Sequence, residues 1–498
     1  MARAALVPPY VHRFAAALMN RRPGLRSCLA ACLIAISLGG LTGAMASADP
    51  IPTTSDLPTA PAADQSKYPE FAEAQQKANA RDFEGALESL KAASAKHPEL
   101  APGEVLMADL LFSGLGNVQT QRQQIQLMQA ARNYLEQAVV NHPKSPDAYV
   151  AFGELAVRDR RVTDAELLYT KAMSLVRALN DTQPRKQGLL RRCHAGLATV
   201  AENRADWATA ETHLMAWLAS DEDNAQAQFR LGRALFNSNN SDNRKRAYEV
   251  FKQASKLDDR LPPPELTVAQ LFDQSANAAD KKVATQWMDY AVKTAAGKPV
   301  PYQVATRLGV ANWHWGRDEI DKAKEHAQAA LETDPDSVNA KLMLGLIARY
   351  ENDYAAAESI FGEVYRDAPD NITASTQLAI CLADQGDAAK LQRALGLADS
   401  NARAQQNNLA AAAALGWVYF RLGRVEEAER LLSGVAAAGR PSAELMYYLA
   451  NVLAERDRKD EALKLLKSTL DATGPQIYRD EAKALYAELS TGSASTTP

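Results

Sequence analysis

The sequence predicts an all-α solenoid of about eleven helix-turn-helix repeats closed by a C-terminal capping helix, and three observations carry that prediction. The stretch Ala340 to Pro369, AKLMLGLIARYENDYAAAESIFGEVYRDAP, has a spacing of small and large residues that recurs along nearly the whole chain. Apolar residues between Tyr68 and Leu489 follow the helical period, with no convincing alternating strand. Length sets no domain count: 498 residues suit an array in which each unit contacts only its neighbours. Such an array acts by being bound.

Residues 1–48 contain five arginines (Arg3, Arg13, Arg21, Arg22, Arg26), no acid, and an uncharged run from Cys28 to Ala48. That pattern predicts an export signal cut after Ala46 or Ala48, the alternative being an uncleaved membrane anchor. Met19, followed by Asn20-Arg21-Arg22, is an alternative start. Cys32 is not read as a lipidation site, because the apolar run follows it instead of preceding it. Arg21-Arg22 reads as an ordinary basic region more readily than as a twin-arginine motif. Without this segment 51 basic residues face 60 acidic ones, a net charge of about −9 that excludes ordinary nucleic-acid binding. Residues 49–67, with Pro50, Pro52, Pro58 and Pro61, read as a disordered stalk, and residues 491–498 as a disordered tail. Between them lie N-terminal repeats with insertions (68–300), then C-terminal repeats and the capping helix (301–490).

The repeat from Ala340 to Pro369 sets the register. Leu344, Gly345 and Ala348 fall on one helical face, Asn352 marks the break, and Tyr354, Ala357, Phe361 and Val364 stripe a second helix. Asn352 suits a left-handed helix end, as do Gly386 and Gly423 in the same place later. Pro369 closes the unit, as do Pro98, Pro143 and Pro335 elsewhere. The small residue of the second helix recurs as Ala86, Ala131, Ala165, Ala210, Ala247, Ala284, Ala323, Ala357, Leu391, Ala428 and Ala462 at intervals of 34 to 45 residues. Gly153, Gly232, Gly345 and Gly416 mark the first-helix crossing, and Tyr169, Phe251 and Phe361 the aromatic site of the second helix.

These residues resemble the tetratricopeptide repeat, whose pattern is a large residue, Leu-Gly, Tyr, then Ala, an aromatic, Ala and Pro within 34 positions. The resemblance is specific from Asn312 onward and weakens in the first repeat and in the sixth, near Pro262-Pro263-Pro264. It implies a right-handed superhelix. Intervals above the family period imply longer turns, notably at the Gln-rich stretch Gly114 to Leu127 and at Asn237 to Arg244. Leu391 in place of Ala implies crowding that opens the ninth pair. A helix from Gln476 to Leu489 is expected to cap the array.

The resemblance also implies where binding occurs, since first helices of such arrays line a concave groove. The corresponding positions here are Glu154 and Val157, Arg233 and Phe236, Asn312 and Trp315, Leu346 and Arg349, Trp417 and Phe420, and Asn451 and Ala454. Tyr350, Arg421 and Tyr447 fall beside them. Aromatics next to Arg and Asn anchor peptides with few rotors to freeze, though the same spacing serves packing between repeats. The candidate groove set is therefore Asn312, Trp315, Arg349, Tyr350, Trp417, Phe420, Arg421, Tyr447 and Asn451. Leu346 and Arg349 leave the best-formed repeat a plain groove face, so recognition is expected in its neighbours. Leu308 with Asn312 and Tyr447 with Asn451 lack the Lys of a C-terminal carboxylate clamp; Asn alone would hold an extended backbone.

The mature chain shows no Gly-rich phosphate cradle, nucleophile elbow or metal-spaced His/Cys cluster. His97, His142, His194, His213, His314 and His326 share no motif spacing, and Cys193 and Cys381 lie too far apart in the array to pair. No cofactor, metal or catalysis is expected. The predicted function is a non-enzymatic scaffold holding a segment of an unidentified protein partner, periplasmic or secreted, in envelope assembly or secretion. The alternative is glycan binding in polysaccharide export, with Trp315, Trp417 and Phe420 stacking on sugar rings. Membrane contact is expected only through an uncleaved signal segment.

Overall fold

The computed structural model describes residues 67–114, 121–179, 183–238, 240–275, 277–439 and 441–492. The expected signal segment, nearly all of the stalk and most of the tail lie outside the described residues. Within them no helix is long and apolar enough to cross a membrane.

Among the described residues, twenty-two helices form eleven consecutive antiparallel pairs. Repeats 1 to 3 are α1 (Pro69–Asn79) with α2 (Phe83–Lys96), α3 (Gly103–Gly114) with α4 (Gln121–Asn141), and α5 (Pro146–Arg158) with α6 (Val162–Ala178). Repeats 4 to 6 are α7 (Gln183–Asn203) with α8 (Trp207–Leu218), α9 (Ala225–Asn237) with α10 (Ser241–Leu257), and α11 (Pro264–Asp273) with α12 (Ala278–Ala295). Repeats 7 to 9 are α13 (Val300–Trp315) with α14 (Ile320–Thr333), α15 (Val338–Tyr350) with α16 (Tyr354–Asp367), and α17 (Ile372–Asp384) with α18 (Ala388–Ala404). Repeats 10 and 11 are α19 (Leu409–Arg421) with α20 (Val425–Ala438) and α21 (Ala443–Glu455) with α22 (Lys459–Leu470), and α23 (Arg479–Gly492) packs on α22 as the cap.

The turn inside a pair has one recurring solution. A single residue enters the left-handed region, as Arg81, Arg160, Ala205, Asp318, Asn352, Gly386, Gly423 and Asp457 do, with φ between 55° and 74°. In repeat 8 this lets the Asp353 amide reach back to Ala348 O at 2.8 Å, which satisfies a carbonyl the helix end would orphan. Where the following residue is Asp it caps the second helix: Asp82 accepts from Gly85 N at 2.9 Å and Asp353 from Ala356 N at 3.0 Å. Pro98, Pro143, Pro335 and Pro369 stand just past α2, α4, α14 and α16, where they cannot extend the helix.

Packing within pairs rests on small residues. Ten of the alanines that set the register are fully buried, at 0% exposure. A Cβ on Gly345 would stand 2.5 Å from the Phe361 ring, so only hydrogen fits there. Tyr169 is gripped from both sides, by Gly153 in its own pair and by Gly196 in the next first helix. The hydrophobic core consequently runs as linked clusters between neighbouring repeats instead of one centre.

Four expectations need correction. The surplus residues of long repeats lengthen helices more than turns: α4 and α7 each have 21 residues and α10 has 17. Gln121, Gln123, Gln124 and Gln126 are therefore helical, Gln119 lies outside the described residues, and the Asn237 to Arg244 turn shrinks to an Asn240-capped helix start. Leu391 is only half-buried in the first turn of α18, while Ala394 and Ala398 are fully buried. The ninth crossing lies one turn further on, and Leu391 crowds nothing there. The capping helix begins at Arg479 instead of Gln476, because the residues before it are used elsewhere.

Candidate functional site

The first helices of repeats 8 to 11 lie side by side, and the link after α22 returns across them. Gly474, at φ 87°, and Pro475 prevent α22 from running into the cap. A Cβ on Gly474 would lie 3.6 Å from Gly316 O, and Arg479 Nη1 lies 3.7 Å from Asp318 Oδ2. The link thus spans from repeat 11 back to the turn of repeat 7, with Tyr478 facing into the array.

Tyr478 enters a buried polar network. Its hydroxyl donates to Asp384 Oδ2 at 2.7 Å and accepts from Arg349 Nη2 at 2.9 Å. Arg349, at 0% exposure, also donates to Glu444 Oε1 at 2.8 Å and to Gln377 Oε1. Asp384 accepts from Trp417 Nε1 at 2.8 Å and lies 3.5 Å from Arg421 Nη1. Tyr448 donates to Glu444 at 2.7 Å. Burial opposes the Arg349 charge, yet Tyr478, Glu444, Tyr448 and Asp384 together push its pKa above the ordinary value. Burial likewise raises the Asp384 carboxyl above its usual range, against the pull of Arg349, Tyr478, Trp417 and Arg421 toward the charged form. Charges buried this deeply persist because each meets several partners.

The expected groove residues divide into three groups. Arg349, Trp417, Phe420, Arg421 and Tyr447 come together around Tyr478. Trp417 stacks on Tyr448 at 4.4 Å and on Phe420 at 5.4 Å, Arg421 lies over Trp417, and Tyr447 stacks on Tyr478 at 4.7 Å. Trp315 and Tyr350 form an edge-on pair at 5.7 Å, Tyr350 donates to Asp318 at 3.0 Å, and Trp315 lines the same cavity as Tyr447 and Tyr478. Asn312 is half-buried on α13, away from this group. The Asn451 amide donates to Tyr447 O at 2.8 Å within its own helix, so it does not reach out toward a backbone. Repeat 8 contributes from its interior instead of its surface: Arg349, fully buried, is the hub of the network. In the N-terminal half Glu154 is held by Arg192 at 2.8 and 2.7 Å, and Phe236 packs edge-on against Phe272.

Asp384, Gln377, Glu444, Tyr448 and Tyr478 were not in the expected set. Asp384 occupies the same last-residue position of its first helix as Tyr350 and Arg421, but a register built on glycine passes over repeat 9, which has Ala379 at the crossing. For Tyr478 the signal was Gly474-Pro475, a helix-breaking dipeptide at the start of the expected cap.

Beside the link lies a cavity of about 1100 Å³. Leu346, Ile372, Ile380, Leu409 and Ala413 supply apolar wall, Thr373, Thr376, Gln377, Gln405, Asn407 and Ser442 supply hydroxyls and amides, and Pro475 to Tyr478 close one side. Leu409 is 42% exposed at its rim. Arg403 and Glu444 add one charge of each sign to the lining. Such donors and acceptors over an apolar floor can hydrogen-bond an extended backbone and shelter its side chains. Nucleophilic chemistry is not favoured by the nearest thiol, since burial pushes Cys381 up to about 12. Among the described residues no three His, Cys, Asp or Glu side chains gather as metal ligands.

The model of the family described as tetratricopeptide repeat matches residues 122–176, 311–372, 342–390 and 413–476, and the chain carries repeats of that kind. Among solved structures it is similar to yeast Tom70, at 13% identity over 86% of this chain and 97% of that one, with a TM-score of 0.34. It is also similar to TTC0263, a thermophilic TPR protein of Thermus thermophilus, at 19% identity over 38% and 99% of the two chains, with a TM-score of 0.32. A third is YrrB, described as a TPR protein with an unusual peptide-binding site, at 20% identity over 40% and 97%, with a TM-score of 0.26. No curated protein matches the chain.

Proposed function

We propose that the chain is a non-enzymatic scaffold that holds an extended segment of a partner protein against the first helices of repeats 8 to 11. The observation that carries this reading is the cavity of about 1100 Å³, whose amides, hydroxyls and apolar floor match a peptide backbone and its side chains. The reading takes residues 1–48 as an export signal, which puts the scaffold in a periplasm or outside the cell. Sugar stacking on Trp417 gains no support, because that ring is 3% exposed and already stacked on two neighbours.

The test uses the full chain as bait in an envelope extract, beside an Ala413→Arg variant. Ala413 is half-buried at the cavity wall, so Arg fills the cavity without emptying the core. Leu167→Arg, at a surface position 65% exposed and remote from the cavity, is the control. Partners retained by the native chain and the control but lost with Ala413→Arg support the reading. Identical recovery with all three refutes it.

A further inference from the structure

The link from Gly474 to Tyr478 does not behave as a cap. Capping is performed by α23, whose Ala482 and Leu489 bury apolar surface against the last repeats. The link is non-helical, lies across first helices instead of at the end of the array, and docks through a polar side chain. Gln476 and Tyr478 are its buried side chains, at 7% and 5% exposure, and the Tyr478 hydroxyl sits between the guanidinium of Arg349 and the carboxylate of Asp384 while its ring stacks on Tyr447. An anchor aromatic in a desolvated pocket, rimmed by weaker contacts, is how a bound peptide is held.

The fit is also incomplete. Arg349 Nε and Gln476 Oε1 are buried without a hydrogen-bond partner, so one donor of the hub and one acceptor of the link itself stay unmet. A segment that supplied an acceptor to Arg349 Nε would hold the same pocket better.

We propose that residues 474–478 are a tethered ligand occupying the recognition pocket, and that the partner segment is an extended peptide whose tyrosine displaces Tyr478 from between Arg349 and Asp384. This rests on the reading of the groove as a protein-binding site. Phenylalanine is a poor substitute because it takes one hydrogen bond from each buried charge, whereas tyrosine donates one to Asp384 and accepts one from Arg349. Displacement frees the link and widens the adjoining cavity for the rest of the peptide.

The probe is a fluorescently labelled synthetic peptide with the sequence of residues 473–480, TGPQIYRD, titrated by anisotropy into the full chain. The native chain, whose pocket is occupied, is expected to bind it at least tenfold more weakly than a Tyr478→Ala chain. Replacing the peptide's tyrosine by Ala should abolish binding, and by Phe should weaken it at least tenfold. Equal binding to native and Tyr478→Ala chains overturns the proposal, as does a folded Tyr478→Ala chain that binds nothing, or undiminished binding of the Ala peptide. If Tyr478→Ala does not fold, Tyr478→Phe replaces it: tighter peptide binding than the native chain supports the proposal, and no change overturns it. Should Ala413→Arg abolish partner capture while the peptide fails, only the tethered ligand falls. Should both fail, the groove itself is wrong.

Discussion

Replacing Arg349 by Met removes the one fully buried cation that Glu444, Gln377, Tyr478 and Asp384 share, while keeping apolar bulk in its place. Deleting one partner of a buried pair costs about 3–5 kcal/mol, mostly because the other charge stays behind. Glu444 keeps 28% side-chain exposure and can rehydrate, and Asp384, though only 3% exposed, keeps Tyr478, Trp417 and Arg421 as partners. The loss should therefore fall at the lower end, about 3 kcal/mol. Urea unfolding followed by tryptophan fluorescence measures it, since Trp417 reports from inside the network. The pH dependence supplies a second signature. Burial already raises the Asp384 carboxyl in the folded chain, and loss of Arg349 removes an opposing influence, so the pKa rises further. A carboxyl whose folded pKa exceeds the unfolded one takes up its proton on folding, so acid favours the folded state in that window. The deficit of Arg349→Met should thus shrink as the pH is lowered. A deficit under about 1 kcal/mol, or one independent of pH, would mean that Arg349 merely packs.

Three further outcomes are expected. Gly345→Ala should cost about 1–3 kcal/mol in thermal unfolding, because its Cβ would press on Phe361 at 2.5 Å; Gly362→Ala, with nothing within 4 Å, should instead stabilise α16 by about 0.5–1 kcal/mol. Ala205→Gly should raise stability by about 0.5–1 kcal/mol, since Ala205 sits at φ 55° where a Cβ is strained, and a loss would show that its methyl packs. His194 and His213 face each other at 3.0 Å between Nδ1 atoms. Burial first, then His213 and Arg177, lower His194 to about 4, and burial lowers His213. Both bind protons more readily when unfolded, so stability is complete above pH 6.5 and declines as pH falls toward 4. His194→Gln should flatten that decline in melts run between pH 7 and 5, and an unchanged slope would remove the pair from the account.

The fold was readable because a solenoid repeats its instructions. Each Ala of the second helix, each left-handed turn residue and each closing Pro signals the same local event, so an unclear unit borrows certainty from its neighbours. Errors came where one signal had two physical outcomes. Gln123 and Gln126 suit either a loop or an exposed helix face, and the extra length went into α4. Leu391 keeps the interval but not the burial, and only packing reveals Ala394 as the crossing residue. The clustering of the candidate residues was half legible. First-helix spacing led to Arg349, Trp417, Phe420, Arg421 and Tyr447, which do converge, but spacing carries no information about a segment up to 129 residues away that folds back onto them. Tyr478 was hidden for that reason, and with it the pairing that turns Arg349 from a plain residue into a hub.

The central claim, that the face of repeats 8 to 11 receives a partner protein segment, is tested most directly by a photo-crosslinking amino acid at Leu409, on the cavity rim. Irradiation of the full chain in an envelope extract should attach a small, reproducible set of proteins, and Ala413→Arg in the same chain should erase it. A set identical to that captured from position 167, or one unaffected by Ala413→Arg, would contradict the account.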